Sequence, residues 1–205
     1  MATSDPKADL RRYLQLARDA MLWKLEGLPE YQIRRPLVPT GTNLLGLVKH
    51  LTGVEFGYFG DTFGRPYPGP VPPGLTDPDT DNSDMFAAPG ESRELITGLY
   101  RKAWAHADVT LDELGLDATG QVPWWPEDRR EVTLHLILTH MLAETHRHAG
   151  HADIIRELID GTAGLTADRP NLPSDEAAWW SAYRQRVEEA ARAAAGLSKA
   201  PDAGM

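Results

Sequence analysis

One stretch, Thr133 to Gly161, reads TLHLILTHMLAETHRHAGHADIIRELIDG and constrains the fold more than any other. Leu134, Ile137, Leu138, Met141, Leu142, Ile155 and Leu158 recur at steps of three and four residues, with Thr133 placed to cap the start and Gly161 the end. The pattern predicts a single long amphipathic helix. His135, His140, His146, His148 and His151 all fall in it, and helix formation needs none of them.

Advancing roughly 100° per residue from His148 places Ile137, Met141, Glu144, His151, Ala152 and Ile155 within about 60° of it, with His140 just beyond. His135, His146 and Asp153 fall about 140 to 160° away, on the outer face. Glu144 and His148 are therefore one turn apart on the buried side, the spacing at which two side chains converge on one ion. An ionised carboxylate entering an apolar stripe is costly unless it is paired or bound to a metal.

A second helix is predicted from about Asn43 to Phe59, with Leu44, Leu47, Leu51, Val54 and Tyr58 as its stripe and His50 at the edge. Gly46, Gly53 and Gly57 lie on the same side as His50. Each glycine in a helix interior costs about 1 kcal/mol relative to alanine. Three on one side imply either a neighbour or ligand in close approach, or loose packing.

Before it, Ser4 or Asp5 can cap a first helix with Pro6 at its first position, and the apolar period carries that helix to near Leu28-Pro29. The connection QIRRPLVPTGT reads as a loop. From Gly60 to Gly90 the chain is dominated by Pro, Gly, Asp and Ser, a long excursion that is either a binding wall or lid, or a solvated crossing. A third helix follows from about Ser92 to Leu114, with His106 as a surface or structural residue. The next loop carries Trp124 and Trp125, at a pocket rim or plugging the core. Ser174 is placed to cap a last helix, Asp175 to about Ala195, that begins with Trp179, Trp180 and Tyr183.

No strand-period segment of convincing length, internal repeat, glycine-rich phosphate loop or nucleophile-elbow serine is found. The expectation is an all-α fold, four long helices plus a C-terminal one, in one domain over residues 1–196 with a disordered tail over 197–205.

A net charge of -9 on 205 residues argues against a general nucleic-acid or anionic-membrane surface, which needs clustered Lys and Arg. No apolar run approaches the ~18 residues of a membrane span, and MATSDPKADLRR lacks the order of a signal peptide, so a cytoplasmic location is expected. With no cysteine the chain has no thiolate ligand or protein thiol nucleophile, and any thiol chemistry must use a thiol from outside.

Bundles of this kind build metal sites from side chains on facing helices. His50 from the second helix with Glu144 and His148 from the fourth makes an N,N,O set that leaves a coordination position open, the pattern of a catalytic divalent site.

LLGLVKHLTGVEFGYF from Leu44 and THMLAETHRHAGHADIIRELIDG from Thr139 resemble the metal-binding motifs of the DinB-like superfamily, and most closely its actinobacterial branch of mycothiol-dependent S-transferases, related to maleylpyruvate isomerase. The resemblance covers nearly the whole chain. It implies an up-up-down-down four-helix bundle holding a divalent metal, often zinc, at the mouth of a pocket. It puts the first ligand on His50 and the others on Glu144 and His148, in E-x-x-x-H where many relatives have H-x-x-x-H. His151 stands where a glutamine is common, and Gly150 is expected to let another helix approach beside the ligands.

The implied chemistry is activation of a small thiol such as mycothiol for transfer to a small electrophilic substrate, or a thiol-assisted isomerisation, with His140 or His151 as proton shuttle. Two other readings compete with it: a bundle that binds a metal or small ligand without turnover, and a metal-free bundle with structural histidines. A homodimer is compatible with the sequence, which locates no interface for it.

Overall fold

The computed structural model describes residues 5–76 and 81–197, and they are mostly helical. Helix α1 runs Pro6–Trp23, capped by Asp5, whose carboxylate accepts from the Lys7 N–H at 3.0 Å. Ser4, the other expected cap, lies outside the described residues. The apolar period runs on past the end of α1 because Leu25 and Leu28 stay buried in the following turn, where Gly27 at φ 73° ends the helical path. The expected loop after it contains a one-turn helix, α2 (Glu30–Arg34), which buries Ile33.

Helix α3 (Leu44–Glu55) is capped by Asn43, which accepts from the Gly46 N–H at 2.8 Å. It does not stay α-helical to Phe59: it widens into a π-turn over Phe56–Gly60 and tightens into a 3-10 turn over Asp61–Phe63. Helix α4 (Arg93–Glu113) is capped by Ser92 and α5 (Leu134–Asp160) by Thr133, with Gly161 at φ 77° closing α5. Between them β1 (Thr119–Gln121) and β2 (Glu131–Thr133) pair antiparallel, Thr119 opposite Thr133. Three residues per strand are too few to register as a period, so sequence reading found no strand there.

Helix α6 spans Ala177–Ala194, and no residue of it is buried. Ser174 accepts from the Glu176 N–H in the preceding turn and does not cap the helix. The tail expected from residue 197 lies, from 198 onward, outside the described residues.

Polar contacts give the helix directions. Lys7 at the start of α1 donates to the Leu114 carbonyl after α4, and Arg93 at the start of α4 reaches the Leu28 carbonyl past the end of α1. These two run oppositely. At the same end Lys24 pairs with Asp153, and at the other Leu14 packs with Ile137 and Met141, so α1 and α5 run alike. Lys49 pairs with Glu91 and Thr110 donates to the Phe59 carbonyl, so α3 and α4 also run alike. The order is up, down, down, up, which corrects the up-up-down-down expectation. The close helix pairs are thus parallel, α1 beside α5 and α3 beside α4, and the long excursion before α4 returns the chain to the end where α3 began.

Two apolar clusters fill the bundle, one around Met21, Leu47 and Ile155 and one around Leu14, Phe59 and Met141. Between them Arg18 and Glu55, both fully buried, form a two-pronged ion pair at 2.7 and 2.6 Å. Glu55 holds the Arg18 guanidinium in its charged form against the penalty of burial.

Candidate metal centre

On α5 the inner face falls where the periodicity puts it: Ile137, Met141, His148, Ala152 and Ile155 are buried, Glu144 and His140 half-buried, His135 and His146 exposed. Two positions depart from it. Leu158 is 61% exposed, and His151, although within the inner arc, is exposed. The angle around a helix says nothing of how far along it the neighbouring helices reach.

His50 on α3 and Glu144 and His148 on α5 offer ligand atoms that all lie within 4.8 Å of one another. His148 Nε2 is 3.0 Å and His50 Nε2 3.4 Å from Glu144 Oε1. Donors bound tetrahedrally at about 2.0–2.1 Å stand about 3.3 Å apart, so the two separations from Glu144 suit a small divalent cation. The N,N,O donor set suits the same class of ion.

Electrostatics point the same way. Hydrogen bonds from His148 and then His50 hold the Glu144 carboxyl well below the usual carboxylate range, against burial. Burial lowers the His50 pKa, but hydrogen bonds to Glu144 and Asp84 outweigh it and leave it above the ordinary imidazole value. The pocket thus stabilises a positive charge at the point where the three side chains meet.

Asp84 escaped sequence reading. Its Oδ2 lies 2.6 Å from His50 Nδ1, on the far side of the ring from Glu144. It comes from the Pro- and Asp-rich excursion, where only the acid-rich run DTDNSD hinted at it, and no periodicity singles out one acid there. The glycines of α3 and of the π-turn after it show how closely the chain packs there. A Cβ on Gly46 would stand 1.8 Å from the Met85 carbonyl oxygen, one on Gly53 2.1 Å from that of Leu75, and one on Gly57 2.7 Å from Trp124. Close approach is therefore the correct reading, and the neighbour is the excursion's backbone with Trp124. Gly150, expected to admit a helix, has nothing within 4 Å of its Cβ position and faces outward.

The centre opens on a cleft of about 520 Å³ whose walls include Asp84, Tyr58, Trp124, His140 and Asp61. Trp124 is 41% exposed and meets Tyr58 edge-on at 5.1 Å, the rim position among the two expected for it. Trp125 is half-buried and donates from Nε1 to the Tyr58 hydroxyl at 3.0 Å. His140 lines the cleft with its ring 4.7 Å from that of Tyr58. His151 stands outside it, its Nδ1 3.4 Å from Nδ1 of His148. His106 is structural, its Nε2 bonded to the Arg65 carbonyl at 2.7 Å. Burial raises the Asp61 carboxyl above its usual range, with His106 opposing.

No curated protein sequence matches the chain. A solved structure of a conserved protein from Enterococcus faecalis is similar to it with a TM-score of 0.55 at 14% identity, covering 78% of this chain and 100% of that one, a likeness of fold. Residues 9–161, which hold all three converging side chains and Asp84, match the family model described as Mycothiol-S-transferase. The chain belongs to the mycothiol S-transferase family of DinB-like proteins.

Proposed function

We propose that the protein is a divalent-metal-dependent enzyme that activates a low-molecular-weight thiol, mycothiol or one like it, for transfer to a small electrophile. The observation that carries this reading is the convergence of two imidazole Nε2 atoms and one carboxylate oxygen on a single point in the cleft wall. The family match supports the thiol-transfer part.

His50, Glu144 and His148 would hold the metal, with zinc the ion best suited to the donor set and spacing. When bound there, such an ion supplies a Lewis acid that favours the thiolate form of a thiol at its open position. The chain's own residues do the rest. Glu144 stays ionised at any physiological pH and presents its charge to the ion. Tyr58 and Trp124, set edge-on to each other, offer an aromatic corner for the electrophile. His140, in the cleft but outside the ligand set, is placed to take up or return the proton exchanged by thiol and product. His151, behind His148, is placed to orient that ring and not to meet substrate. The absence of cysteine leaves no protein thiolate to compete for the open position.

Elemental analysis with and without chelator tests the reading, followed by titration of a small thiol into the metal form. About one ion per chain is expected, lost in His148→Ala and retained in His146→Ala, whose side chain is exposed. Equal metal loss in both variants, or a native chain that takes up none, would sink it. His140→Gln should keep its metal and lose about 10²-fold or more in thiol-transfer rate.

A further inference from the structure

Residues 83–86 are fastened to α3 through their backbone carbonyls. The Asn43 amide donates to the Met85 carbonyl at 3.2 Å. Lys49, only 2% exposed, donates to the carbonyls of Ser83 and Phe86 at 2.8 and 3.1 Å and pairs with Glu91 at 2.8 Å. Gly46 leaves the gap into which the Met85 carbonyl fits. Asn43, Gly46 and His50 share one face of the helix, at steps of three and four, with Lys49 beside His50. Burying a lysine for this purpose is costly without such partners, so the docking is a built feature of the chain. What it delivers is one side chain: the Asp84 carboxylate, 2.6 Å from His50 Nδ1.

We infer that Asp84 is a positioning residue for the metal centre: it holds neutral His50 in the tautomer protonated at Nδ1, so that the Nε2 lone pair faces the ion, and Lys49 acts through it by pinning the carbonyls on either side. The inference rests on the reading of His50, Glu144 and His148 as metal ligands. An ionised carboxylate only accepts hydrogen bonds, so its ring partner must carry the proton on Nδ1. The ring is then fixed in rotation as well as in tautomer, and its basicity at Nε2 is raised. On the other ligand helix, His151 can do the same for His148, but at 3.4 Å and exposed it holds less firmly.

The test compares native protein with Asp84→Ala, Asp84→Asn and Lys49→Met by zinc competition against a chromophoric chelator. It also reads the His50 tautomer from imidazole 15N shifts in the metal-free proteins, above the pH at which His50 loses its charge. Asp84→Ala is expected to weaken zinc binding by about 10- to 100-fold and to lose the Nδ1–H tautomer. Asp84→Asn, which keeps an acceptor oxygen, should recover the tautomer and part of the affinity. Lys49→Met should shift both readouts in the direction of Asp84→Ala. Zinc affinity of Asp84→Ala within twofold of native overturns the inference, and so does an affinity loss in which the tautomer is unchanged, since that marks loosened structure only. A native chain that binds no zinc overturns the metal-centre reading instead, and the tautomer measurement, which needs no ion, tells the two failures apart.

Discussion

Two glycines set the limits of substitution near the centre. Gly150 sits in the exposed middle of α5 with open space at its Cβ position, so Gly150→Ala should stabilise the protein by about 0.5–1 kcal/mol, read from urea denaturation. Gly46→Ala should do the opposite and weaken zinc binding too, because its Cβ would collide with the Met85 carbonyl and displace Asp84. Protonation gives a second test. Glu144, depressed in the fold, contributes stability that is present above its ordinary value of about 4.5 and lost as pH falls through the depressed one. His50, raised in the fold, contributes stability that is full below about 6.5 and lost as pH rises through the raised value. The metal-free protein should therefore gain most from this pair in mildly acidic solution, whereas zinc affinity climbs as His50 loses its proton. Urea midpoints across pH, with and without zinc, check this, and parallel curves would contradict it. Glu144 and His148 were legible as a pair because one helix carries both, so a single angular rule relates them. Asp84 was not, since it reaches His50 through a loop that has no period to read.

Helices that follow a simple amphipathic rule were read well, and the elements that bend around the site were not. Thr133 and Gly161 bound α5 where their chemistry says they should. The π-turn at Phe56–Gly60 was invisible, because the extra residue per turn leaves Tyr58 and Phe59 buried as a plain α-helix would. Tyr58, within that turn, stands at the cleft wall beside His140. The Arg18–Glu55 pair between α1 and α3 was missed for a related reason: a lone charged residue in a stripe reads as an interruption until its partner is known. Removing one partner leaves the other buried and unpaired, so Arg18→Met should cost about 3–5 kcal/mol by denaturant titration. The double variant Arg18→Met, Glu55→Leu should recover most of it, and an additive loss would contradict the pairing.

At the scale of the molecule, the mostly helical class and the faces that carry His50, Glu144 and His148 followed from composition and periodicity, while the short β1–β2 pair and the up-down-down-up order did not, because three residues make no period and periodicity carries no direction. Among the described residues no helix is long and apolar enough to cross a membrane. Helix α6 buries nothing, and deleting the chain after Leu172 should leave the melting temperature within a few degrees of native by circular dichroism. The placement of the ligands on α3 and α5 has a consequence for the chain as a polymer. His50 and Glu144 are 94 positions apart, and an ion gripped by both closes a loop of that length. Such a tie restricts the unfolded chain in the way a disulfide does, more so the longer the loop. This sequence has no cysteine with which to make one. With an ion bound as proposed, the centre would also be a reversible cross-link, fastened by that ion and undone by a chelator.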